Sequence, residues 1–177
     1  MIRRINFYAG PGAGKSTLAA RTFAELKIRG HDVEHVPEFV KTMAHEGRFP
    51  QSYDQIHIFG EQVHREDIAL RHVETVVTDC PILMCCAYAE FYSAPGFAET
   101  TKIARQFDLD FPALNLYIDR TVEYISKGRF QDGEQAVEFD QKLLDFLAEN
   151  LHGPLVHVQV ENFDLMLEEI ENKLREE

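Results

Sequence analysis

The segment Ala9-Gly10-Pro11-Gly12-Ala13-Gly14-Lys15-Ser16-Thr17 combines glycines, a lysine and two hydroxyls at a spacing suited to holding phosphate. Gly10, Gly12 and Gly14 let the backbone curl, so that successive N–H groups point inward at anionic oxygens. A strand-like run precedes the segment and a helix-like run follows it. The positive end of that helix dipole therefore adds to the same site. Lys15 is placed to bridge β- and γ-phosphates, and the Ser16 hydroxyl to ligate Mg2+. With Pro11, Ala13 and Thr17 the segment forms a P-loop, a cradle for a nucleoside triphosphate such as ATP. Ala9 stands where the strictest form of the pattern has glycine, a position that commonly accepts alanine.

Moving a phosphoryl group needs more: a base for the acceptor hydroxyl, an acceptor pocket, and cations that follow the transferring charge. Glu38, in Val36-Pro37-Glu38-Phe39-Val40, is the candidate base. It lies just past a short strand, at the end that faces the phosphate loop in a parallel sheet. Asp79 closes the β-branched run Thr75–Thr78 and reads as an acid that holds Mg2+ through water or assists the base. Arg120 and Arg129 bound the polar segment 119–133, read as a lid whose guanidinium forks arrive on closure. Lys127 reads as solvent-facing. Phe59, Gln62 and Arg65 share a helical face. Phe59 could stack on an acceptor base and Gln62 bond its edge, or Phe59 is core and Gln62 is solvated. Tyr88 and Tyr92 are further candidates to line the cavity. His57, His64 and His72 read as helix-surface histidines, since Mg2+ prefers oxygen.

The elements that must position these residues alternate along the chain. Strands are expected at Ile2–Ala9, Val33–Val36, Thr75–Thr78, Leu114–Ile118 and Leu155–Val160. Helices are expected at Lys15–Arg29, stopped by Gly30, then at Ser52–Val73, Ile82–Tyr92 and Phe97–Phe107. In the second of these, Ser52 is the expected N-cap and Ile56, Phe59, Val63 and Leu70 the expected inner face. Ala136, Phe139, Leu143 and Leu147 mark the inner face of a further helix, and Phe163–Arg175 closes the chain. Such alternation predicts an α/β fold, a five-stranded parallel sheet with helices on both faces, of the P-loop NTPase or kinase type. Neither repeat nor linker interrupts it, so residues 1–177 read as one domain.

The 177 residues carry 30 Asp and Glu against 18 Lys and Arg, a net charge of −12. A polyanion repels such a surface, which argues against tight, non-specific nucleic-acid binding. The charge is uneven, however. Residues 133–177 hold 12 acidic and 3 basic residues, whereas residues 1–132 hold 18 and 15. The acidity is thus expected on two closing helices that flank the sheet away from the acceptor cleft. No run approaches the ~20 apolar residues of a membrane span, and the N-terminus lacks a signal-peptide layout, so a cytoplasmic protein with no membrane partner is expected. Cys80, Cys85 and Cys86 lack paired zinc spacing and read as buried free thiols.

A GTPase would carry an NKxD-type base-reading motif, and an AAA-type engine an apolar strand closed by Asp-Glu; here the strand closes as Thr78-Asp79-Cys80-Pro81. A small phosphotransferase remains. Val36-Pro37-Glu38-Phe39-Val40-Lys41-Thr42-Met43-Ala44 resembles the Pro-Glu-Pro-Val segment of deoxynucleoside kinases, whose Glu accepts the proton of the attacking hydroxyl and which also use a Phe–Gln pair on the base. That resemblance sets Glu161-Asn162-Phe163-Asp164 beside the adenine. From Arg120 onward, Tyr124, Gly128, Arg129, Gln131, Glu134, Ala136 and Asp140 resemble a set of small bacteriophage P-loop kinases. Some members of the set look like 5-hydroxymethyluracil DNA kinases, which phosphorylate the 5-hydroxymethyl group of a modified pyrimidine in DNA. The resemblance implies that activity, in the host cytoplasm, with ATP and Mg2+. Kinases of free nucleosides or nucleoside monophosphates remain alternatives, as does a nucleotide-binding regulator without phosphotransfer.

Overall fold

Short, nearly continuous apolar runs become strands covered on both faces. The computed structural model describes residues 2–120 and 133–175. In chain order its elements are β1 (Arg4–Tyr8), α1 (Lys15–Ile28), β2 (Val33–Val36), α2 (Val40–His45), α3 (Asp54–Leu70), β3 (Thr75–Thr78), α4 (Ile82–Phe91), α5 (Phe97–Asp110), β4 (Ala113–Ile118), α6 (Gly133–Asn150), β5 (Leu155–Val158) and α7 (Phe163–Arg175). The five strands pair in parallel, in the order β2-β3-β1-β4-β5. This is the expected α/β sheet with helices on both faces.

One face of the sheet packs against α1 and α7 through Leu18, Leu26, Phe163 and Leu167. The other packs against α3, α4, α5 and α6 through Ile58, Leu83, Phe107 and Phe139. Helix α4 is apolar nearly all round, and Ile82 to Ala87 are all buried between its neighbours. That is why its sequence shows no amphipathic stripe. Cys80, Cys85 and Cys86 are buried free thiols.

The register fixes where the site forms. Thr78 of β3 lies opposite both Asn6 of β1 and Val36 of β2. The loops after these three strands therefore leave one edge together, beside the point where the chain order reverses around β1.

Two expectations are corrected and one element is added. Ser52 does not cap α3: it has φ 45 and precedes Tyr53, the N-cap residue, while Asp54 Oδ2 accepts from the Gln51 N–H at 2.8 Å. The inner face of α3 is Ile58, Phe59, Gln62, Glu66 and Leu70, and Ile56 is exposed. The short helix α2, unforeseen, follows Glu38 directly because Val40 and Met43 lean on the same core.

Candidate active site

The loop between β1 and α1 is shaped by one backbone conformation and one close approach. Gly14 enters α1 with φ 99, a conformation that side-chain-bearing residues rarely adopt. Gly10 is required for a different reason. A Cβ there would lie 2.1 Å from Asp140 Oδ1, because that carboxylate accepts the Gly10 N–H at 2.7 Å. The other oxygen of Asp140 accepts from Arg120 Nε at 2.7 Å, and Arg120 Nη2 donates to the Pro11 carbonyl at 3.0 Å. Arg120 and Asp140, both largely covered, thus pin the loop from the far side of β4 and α6.

Lys15 folds back over its own loop, with Nζ donating to the carbonyls of Ala9 (2.7 Å) and Gly10 (3.0 Å). Burial pushes its pKa down, and the nearby Glu38 carboxylate opposes that shift. Glu38 is affected in the complementary way: burial pushes its pKa up and Lys15 opposes. Asp79 is 1 % exposed and divides its carboxylate. Its Oδ1 accepts the Glu38 backbone N–H at 3.0 Å, which fixes the start of the loop that carries Glu38. Its Oδ2 faces Lys41 Nζ at 3.6 Å. Lys41 Nζ also donates to Ser16 Oγ.

A cavity of about 660 Å³ joins these groups. One end is walled by Gly12, Gly14, Lys15, Ser16 and Thr17, with Glu38 and Lys41 beside them. The other end is walled by Phe49, Gln55, Ile58, Tyr88 and Tyr92. Tyr88 is held by stacking on Phe139 of α6, with ring centroids 4.2 Å apart. Glu38 thus lines one cavity together with the phosphate loop and with the rings of Phe49, Tyr88 and Tyr92. Ser16 Oγ and Asp79 Oδ2 converge on one ammonium, so two hard oxygen donors already share a cation. That donor pair fits Mg2+.

The structure brings together Gly10 to Thr17, Glu38, Asp79, Tyr88 and Tyr92. It does not bring Phe59, Gln62 and Arg65 to the cavity, which corrects the expected acceptor wall. Phe59 is core. Gln62 is fully buried, accepting the Phe39 N–H at 3.2 Å and donating to Glu66 at 3.4 Å. Arg65 lies over the Phe39 ring, 4.7 Å from its centroid. Arg120 lies beside the P-loop, with Nε on Asp140 and Nη2 on the Pro11 carbonyl. Arg129, Lys127 and most of the 119–133 segment lie outside the described residues. His57, His64 and His72 are exposed. Phe163 is 2 % exposed, with the Arg21 guanidinium 3.7 Å above its ring, and Val160 is the neighbour that approaches Gly14.

Sequence reasoning assigned no role to Lys41, Gln55, Phe49 or Asp140. Lys41 had a signal, three residues past Glu38 in one short segment. Asp140 stood in the sequence only as one position of the phage-kinase pattern, and its bond to Gly10 spans 130 positions, which no local spacing announces. The acidic helices divide: α7 packs on the α1 face of the sheet, but α6 backs the site, with Phe139 stacked on Tyr88 and Asp140 bonded to Gly10.

Residues 4–164 match the model of a family described as an AAA domain. No curated protein matches the chain in sequence. Among solved structures, deoxyadenosine kinase from M. mycoides with products dCMP and a flexible dCDP bound superposes with a TM-score of 0.59 at 18% identity, over 98% of this chain and 100% of that one. The same enzyme with bound dATP gives 0.55 at 19% identity, over 97% and 98%. The likeness is one of fold.

Proposed function

The chain belongs to the AAA domain family, and from that membership and the geometry of the cavity we propose that it is an ATP-dependent kinase of a primary hydroxyl. One observation carries this reading: Glu38 lines the same cavity as Lys15 and Ser16, and its backbone N–H is held there by the Asp79 carboxylate. A nucleotide-binding regulator has no use for a base at that point. An ATP-driven motor fits less well, because β3 ends in Asp79-Cys80 rather than an Asp-Glu pair.

In the proposed reaction Glu38 takes the proton of the acceptor hydroxyl as its oxygen attacks the γ-phosphorus in line. The bond from that phosphorus to the β–γ bridging oxygen breaks, and ADP leaves. The P-loop N–H groups and Lys15 hold the β- and γ-phosphates throughout. Ser16 and Asp79 would hold Mg2+, which supplies charge neutralisation at phosphate oxygens. Tyr88, Tyr92, Phe49 and Gln55 hold the acceptor ring.

The proposed acceptor is the 5-hydroxymethyl group of 5-hydroxymethyl-deoxyuridine in DNA, supported by the phage-kinase pattern from Arg120 to Asp140. A free deoxynucleoside or its monophosphate is the second reading, favoured by the whole-length likeness to deoxyadenosine kinase. Incubation with γ-labelled ATP and two acceptors, hydroxymethyluracil-containing DNA and the free nucleoside, separates them. Label in DNA is expected. Label on the nucleoside alone keeps the kinase and replaces the acceptor, and label on neither of these two nor on added nucleoside monophosphate removes the kinase reading.

A further inference from the structure

A carboxylate as covered as Asp79 needs a counter-charge before any nucleotide arrives, since an unpaired buried anion is costly. Lys15 does not supply a direct contact, because its ammonium is spent on the carbonyls of Ala9 and Gly10. Lys41 does, with Nζ 3.6 Å from Asp79 Oδ2 and bonded to Ser16 Oγ. The two partners follow different strands, Ser16 in the first turn of α1 after β1 and Asp79 directly after β3, and the lysine is in the first turn of α2, after β2. Three neighbouring strand ends thus meet at one ammonium. These are also the two oxygens that fit a divalent cation.

We propose that Lys41 is an exchangeable cation of the active site: its ammonium holds Ser16 and Asp79 in the empty enzyme and moves to the transferring phosphate when the metal–nucleotide complex enters. The inference rests on the kinase reading above. A dication and an ammonium repel each other and cannot share one hydroxyl and one carboxylate oxygen. Lys41 must therefore leave as the metal binds, and it can do so readily. Its side chain is 46 % exposed and sits on a flexible four-carbon stem. It still has work to do after leaving, because it lines the same cavity as Lys15 and Glu38. Arg120, the other cation expected on the phosphates, is held behind the loop by Asp140. A cation released at that moment would have the incoming phosphates as its new counter-charge.

The variant Lys41→Met keeps the apolar stem and removes the charge. Two measurements near pH 8 test the proposal on the intact chain. Electron paramagnetic resonance titration with Mn2+ alone, without nucleotide, is expected to give about tenfold tighter binding in Lys41→Met than in wild type. The turnover number with saturating ATP is expected to fall by roughly 10²-fold. Lys41→Gln should repeat both results. Unchanged Mn2+ affinity, or a turnover equal to wild type, overturns the proposal. If wild type itself transfers no phosphate, the kinase reading fails, and with it the catalytic half of this proposal. The Mn2+ titration still decides whether Lys41 holds the metal site.

Discussion

At the scale of single residues, the proposed chemistry depends on Glu38 acting as a base in the field of Lys15, Lys41 and Asp79. Burial dominates and raises its pKa above the ordinary glutamate range, with the lysines opposing. A general base works only when ionised, so turnover should climb as pH rises through that raised value. The acid limb of the pH–rate profile is therefore expected above the usual carboxylate range of about 4.3. Replacing Glu38 by Gln should abolish that limb and lower turnover by about 10²- to 10⁴-fold. ATP affinity measured by calorimetry should change little, because the P-loop amides and Lys15 bind the phosphates. A Glu38→Gln enzyme with full activity would assign the base elsewhere. Glu38 and Asp79 were legible in the sequence because each closes a short strand, and strand ends in a parallel sheet share one edge.

Elements decide what the sequence left hidden. Element order, the parallel sheet and the inner face of α6 could be read from apolar periodicity. The face of α3 could not, because periodicity assigns polar residues to solvent. Here the fold buries Gln62, which accepts the Phe39 N–H, and Glu66, which lies 3.6 Å from the guanidinium of Arg4, a charge in the central strand. With Gln62 turned inward, Phe59 packs in the core and the acceptor chamber passes to Gln55, Ile58 and α4. The contact between Arg120 and Asp140 was hidden for a related reason: Asp140 comes from another element, α6, and no spacing announces that the two pair. If α6 braces the P-loop through that pair, Arg120→Ala and Asp140→Ala should each weaken ATP binding by about tenfold, and the double variant by no more than either alone. Calorimetric titration of the four proteins measures this coupling. Additive losses, or a turnover defect in Arg120→Ala that Asp140→Ala does not share, would return Arg120 to the phosphates.

The whole molecule carries a second charged cluster, far in function from the first. Arg4 is fully buried at the centre of the sheet, where Asp108 accepts a hydrogen bond from it and Glu66 lies 3.6 Å away. One guanidinium thus faces two carboxyl groups from α3 and α5, and one negative charge is enough to balance it. Burial raises the pKa of both acids, and that of Glu66 to about 7. Asp108 has the direct bond and is the better anion. Glu66 is the group that keeps a proton in the native state when the unfolded chain has already lost its own. Native protein binds more protons than unfolded chain across that interval, so stability falls as pH rises from the usual carboxylate range through about 7. Glu66→Gln mimics the protonated side chain and removes the dependence. The melting temperature of wild type relative to this variant should therefore drop between pH 5 and pH 8, by something on the order of 5 °C. A gap that stays constant over that range would mean that Glu66 is ionised throughout. The sheet would then hold two anions against one arginine, and the balance of charge beneath β1 would have to be found elsewhere.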